Sequence, residues 1–258
     1  MPFLFRVLFL ACGLTAVLRA DEPASGAADS DPFAGAPAPL AQAMREFARD
    51  AGRWAYTQRF VEYARDGQVE RTWTARHDPS QHYDVQWTLL SRDGETPTEA
   101  QQKSFRKRRA ARERDRKSLG ELLELDRATV AFQSSAEIVY EVPLRIEDGS
   151  RFPPEKFQAF ITIDRATAGL KLIDVKLREK LRVAGVVSVR SGDARIEFSR
   201  FLPESGPAIA AISAGATASI LFVPVGERVE LERTDYKKVT PYDERFSVKL
   251  GPLKAIDF

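Results

Sequence analysis

The chain has 258 residues, a formal net charge of +2 and one cysteine, Cys12. A chain of this length can bury one sizeable core without disulfides. With its only thiol in the leader described below, the mature chain has no thiolate nucleophile, zinc ribbon or redox pair.

Met1 to Arg6 forms a short n-region with one cation, Val7 to Val17 is apolar apart from Thr15, and Ala20 precedes the acidic Asp21-Glu22. That order reads as a secretory signal peptide over residues 1–20, too short for a convincing membrane span. A lipoprotein signal acylated at Cys12 is the weaker reading, because Phe9 and Leu10 fit a lipobox poorly and the apolar run continues past the cysteine. Export to the periplasm, or to cell-envelope space generally, is therefore expected. Residues 21–39, rich in Ala, Pro, Gly, Ser and Asp, read as a flexible linker. A single domain is expected over 40–258.

Leu40 to Ala51 has a helical stripe of Leu40, Met44, Phe47, Ala48 and Ala51, with Gly52 as its stop. From Arg53 the period becomes two. Trp54, Tyr56, Gln58 and Phe60 alternate with Thr57 and Arg59, and Asp66-Gly67 marks a hairpin. Val69 to Arg76 returns, Asp78-Pro79-Ser80 turns, and Tyr83 to Ser91 forms a third strand. Each of these strands carries one of the three tryptophans, Trp54, Trp73 and Trp87, which are read first as a core layer and second as the wall of a ligand cavity.

Residues 96–126 read as a helical insertion. Thr96 with Glu99 and Thr98 with Gln101 form overlapping capping boxes, and Phe105 is almost alone among polar residues until Leu119. From Lys103 to Lys117 nine Lys and Arg oppose Glu113 and Asp115, a net of +7. Because Arg6 and Arg19 leave with the leader, the rest of the mature chain then carries −7. Lys103, Arg106, Lys107, Arg108, Arg109 and Arg112 are candidates for contact with an anionic lipid surface or an acidic protein. Export argues against nucleic acid as the partner.

Strands resume around Ile138 to Leu144, Phe157 to Asp164 and Leu170 to Lys180. Val183 to Arg190 is expected to pair with Ala194 to Phe201 across Ser191-Gly192-Asp193, and Val229 to Val239 is a last strong strand. Turn signals about every ten residues point to an antiparallel meander. Residues 206–226 carry no charge, yet their alanines, glycines and prolines are too weakly apolar to span a bilayer. Two short strands turning near Ala214-Gly215 are expected there, with one of Ala216 and Ala218 pointing into the fold.

His77 and His82 lie near Asp78 and Asp84, but their spacing matches no metal-ligand pattern. No nucleophile elbow, phosphate loop or zinc-protease helix occurs, so neither an enzyme nor a cofactor is expected.

The order of elements resembles that of the outer-membrane lipoprotein carriers and receptors, the LolA/LolB-like proteins. The shared pattern is a leader, an amphipathic helix entering a strongly curved antiparallel sheet, and a helical lid inserted in that sheet. FITIDRATAGLKLIDVKL and VELERTDYKKV are similar to strands common in the group. The long Arg-rich insertion departs from it. The resemblance implies a mainly β fold, a half-open barrel of ten to eleven strands, binding acyl chains of a lipid or acylated protein on its concave face. Phe157, Ile161, Leu172, Phe198, Ala216 and Ala218 join the tryptophans as cavity candidates. The alternative is an envelope interaction or scaffold protein whose sheet is filled by its own side chains.

Overall fold

The computed structural model describes residues 31–114, 118–145, 153–183, 187–220 and 223–246. The proposed leader and most of the proposed linker lie outside these residues. The described end of that linker is not free chain. Phe33 is buried in the main core, its N–H bonds Asp31, and Arg45 pairs with the same carboxylate. One large apolar side chain suffices to dock a segment otherwise made of small residues.

Helix α1, Ala38–Asp50, starts with proline in its first turn and buries Leu40, Ala41, Ala43, Met44 and Phe47 on one face. The chain then forms β1 (Trp54–Ala64), β2 (Val69–His77) and β3 (Trp87–Arg92). Gly67, at positive φ, closes the first hairpin as Asp-Gly requires. Tyr83–Val85 is a 3-10 turn rather than the start of β3, and Val85 is exposed. The helical insertion consists of helix α2, Glu99–Arg114, and the short α3, Leu119–Leu122, followed by a 3-10 turn at Leu125–Arg127. The Thr98–Gln101 capping box forms in both directions.

The remaining strands are β4 (Thr129–Gln133), β5 (Glu137–Val142), β6 (Phe157–Asp164), β7 (Gly169–Leu177), β8 (Leu181–Val183), β9 (Val187–Ser199), β10 (Ala208–Ile220) and β11 (Val223–Lys238). A last helix, α4, covers Tyr242–Phe246. Strand β4 has no counterpart among the sequence expectations; it is short, and every side chain on it is exposed.

Two expected turns are strand instead. Ser191-Gly192-Asp193 runs through the middle of β9, where Gly192 pairs with Ala216. Ala214-Gly215 lies in the middle of β10, paired on both sides. Turn propensity lost to tertiary context, because each segment has a strand on either side to satisfy its backbone groups.

All strands form one 11-stranded antiparallel sheet in the order β3-β2-β1-β11-β10-β9-β7-β6-β5-β4, with β8 paired to the start of β9. It is curved and does not close into a barrel. The two edges are β3 and β4, and the helical insertion joins them in sequence. Register lines up one row of inward side chains across it: Trp73, Phe60, Leu231, Ile212, Ile196, Ile173, Ile161 and Tyr140. The row is aromatic at the β2 end and aliphatic through the middle. Both α1 and α2 pack on this inner face, α1 over β6 and β7 and α2 against β3.

Candidate binding surface on the inner face

Trp54, Tyr56 and Gln58 are successive inward positions of β1, with His77 opposite Tyr56 and Trp87 opposite His77. The rings interlock in edge-to-face and tilted pairs. Trp87 lies 6.1 Å from Tyr56 and 4.6 Å from His77, and Tyr236 lies 5.7 Å from both Trp54 and Tyr56. Phe201 stacks on Tyr236 at 3.8 Å, and Trp73 stacks on Phe60 at 5.1 Å. Such pairs add roughly 0.5–1.5 kcal/mol each beyond the area they bury.

Helix α2 lies over this patch. Phe105 meets Trp73 and Trp87 at 5.4 and 6.3 Å. The Arg109 guanidinium lies 4.7 Å from the Trp73 ring and 4.4 Å from Trp87. The Gln102 amide both donates to and accepts from the Leu89 backbone, standing in for a neighbouring strand at the β3 edge. Arg109 is thus a structural cation–π partner as well as one of the six anionic-surface candidates. Arg106 is half-buried, while Lys103, Lys107, Arg108 and Arg112 are exposed, with Arg108 bonded to Ser104. The basic run is therefore two-sided.

The nine cavity candidates do not converge. Trp54 and Trp87 are buried in the aromatic cluster, with Trp73 partly buried at its rim. Ile161 and Phe198 belong to the aliphatic core under α1, where Phe198 meets Phe47 at 5.3 Å, and Phe157 packs on its margin. Ala216 and Ala218 join Leu181 and Val189 in a third cluster. These two alanines were expected to differ in orientation; residues two apart on a strand share a face, and both are buried. Leu172 is the clear exception. It pairs with Thr162 while its neighbour Ile173 pairs with Ile161, so a one-residue offset puts Leu172 on the opposite face.

Sequence reasoning passed over two acids. Glu62 is buried on β1, and Arg71 lies 3.2 Å from its carboxylate. Glu227 stands opposite Ala64, diagonally across the β1–β11 pair. Burial, then the charges of Glu62 and Glu70, pushes the Glu227 carboxyl up to about 7. Burial also raises Glu62, against the opposing pull of Arg71. A Glu two residues before Ala64 gives no signal of this, since the other partner arrives from β11.

His77 lies within the aromatic cluster, whereas His82 sits on the turn between Tyr83 and Tyr242. Among the described residues, no three His, Cys, Asp or Glu side chains converge on one point. Among them, too, no helix is long and apolar enough to cross a membrane.

Fold and surface together define a class: a curved, open antiparallel sheet with two dissimilar helices on its inner face. No protein-family model matches this chain, and neither a curated protein nor a solved structure does.

Proposed function

We propose that this is an exported cell-envelope protein that binds acyl chains, of a lipid or an acylated protein, on the inner face of the sheet beneath α2. The observation that carries this reading is how α2 is attached. Among the described side chains of this sixteen-residue helix only Phe105 is buried, and Arg109 and Gln102 add contacts to the aromatic floor and the β3 edge. A cover held this lightly opens at small free-energy cost, and each methylene it then shelters contributes about 0.8 kcal/mol. The exposed cations on its outer side suit approach to an anionic lipid surface, at about 1 kcal/mol per residue. Scaffolding is the second reading, and the α1 side favours it: Leu40, Met44, Ile161, Ile173, Ile196 and Ile212 are fully buried there, leaving a filled sheet.

The test is titration of a fluorescent fatty-acid probe against the purified protein. Saturable binding that Phe105→Ala changes by several-fold is the expected result. Absence of saturable binding leaves the scaffold.

A further inference from the structure

Three hydrogen-bond donors are buried at the aromatic patch. Trp54 Nε1, Gln58 Nε2 and Trp87 Nε1 are all buried without a hydrogen-bond partner among the described residues, in side chains 2 %, 1 % and 5 % exposed. The Gln58 orientation is fixed chemically. Its oxygen accepts from Arg233 Nε at 3.1 Å, and a guanidinium can only donate, so the amide nitrogen is the atom left over. The residues that carry them are neighbours of Tyr56. Trp54 and Gln58 flank Tyr56 on β1, and Trp87 meets it from β3. Arg233 lies 4.3 Å over the same ring, and Arg109 lies 4.4 Å from Trp87.

Two oxygen-bearing side chains beside the patch are committed elsewhere. The Tyr236 hydroxyl donates to the Ile209 carbonyl, and burial raises its pKa, so it stays neutral. Asp50, whose Lys238 partner reaches toward Trp54, is held by Lys238, Arg49 and the Gly206 N–H. Leaving several buried donors without acceptors is unfavourable. A group rich in acceptor oxygens and negative charge would satisfy them while the rings cover its apolar remainder.

We propose that the Trp54–Tyr56–Gln58 face of β1, together with Trp87, seats the anionic head group of an amphiphile, a carboxylate or a phosphate monoester. This rests on the acyl-binding reading and adds polarity to it: the head lies inward on the sheet, away from the exposed cations of α2. All three tryptophans of the protein lie at this patch, so their fluorescence reports its occupancy directly.

The experiment is a tryptophan-fluorescence titration of the full chain with dodecanoate, dodecyl phosphate, dodecanol and dodecyltrimethylammonium, each below its micelle concentration. One or both anions should bind at least tenfold more tightly than the alcohol, and the cation most weakly; which anion leads identifies the head group. Gln58→Leu should narrow the gap between anion and alcohol at least several-fold. Trp87→Phe, which keeps the ring and removes the N–H, should lower anion affinity several-fold and serves if Gln58→Leu does not fold. Equal affinity for anions and alcohol overturns the head-group seat, as donors holding only water would produce, while leaving acyl binding intact. An anion preference untouched by both variants places the seat elsewhere and overturns this assignment. No binding of any of the four removes both readings.

Discussion

Helices α1 and α2 cover the same face of one sheet by different chemistry. Helix α1 inserts an aliphatic stripe into a close-packed core and is pinned at its end, where Asp50 takes a hydrogen bond from the Gly206 N–H at 2.8 Å and an ion pair from Lys238 at 2.9 Å. The approach there is so close that a Cβ on Gly206 would overlap the Glu46 carbonyl. Arg200 adds a 2.7 Å contact to Glu46. Among the described side chains of α2 only Phe105 is buried, with Arg109 and Gln102 adding contacts to the rings and the β3 edge. The difference separates two tasks. Close packing of aliphatic side chains ties α1 to the global stability of the fold, and the less buried α2 is expected to open before it.

The largest effect should come from exchanging the same truncation between the two helices. Phe47→Ala is expected to lower global stability by about 3–5 kcal/mol in urea unfolding, as large core truncations do. Phe105→Ala should lower it much less and instead speed hydrogen exchange across α2, with a red shift in tryptophan emission. Equal losses in the two variants would break the comparison.

The boundary between the halves should respond to pH. Glu227 titrates near 7 in the fold against 4.5 normally, so the folded state favours its protonated form. Its contribution is then fully present below pH 4.5 and is lost as pH rises through about 7. With roughly half of the effect discounted for solvent screening, Glu227→Gln should stabilise the protein at pH 8 by about 1–2 kcal/mol and do little at pH 4.5. Chemical denaturation at the two pH values measures this, and identical differences at both would contradict it.

Smallest is the edge. Gln102→Ala should cost about 1 kcal/mol or less by uncovering the Leu89 backbone on β3. Faster exchange of the Leu89 amide, with the α1 amides unchanged, is the signature to look for.

Local chemistry was readable in the residues themselves. The period of two in Trp54 to Phe60, the Asp66-Gly67 turn, the α1 stripe and the Thr98–Gln101 box all formed, because each depends on neighbours within a few positions. So did the placing of one tryptophan on each of three adjacent strands. Tertiary structure decided the rest. Only strands on both sides of them make Gly192 and Gly215 continuous with β9 and β10 rather than turns. A one-residue offset turned Leu172 outward. Arg109 found two indoles on strands earlier in the chain, and Glu227 met Glu62 only because β11 returns to pair with β1. Those contacts join residues far apart in sequence, where neither periodicity nor propensity carries information, and the register of the sheet alone brings them together.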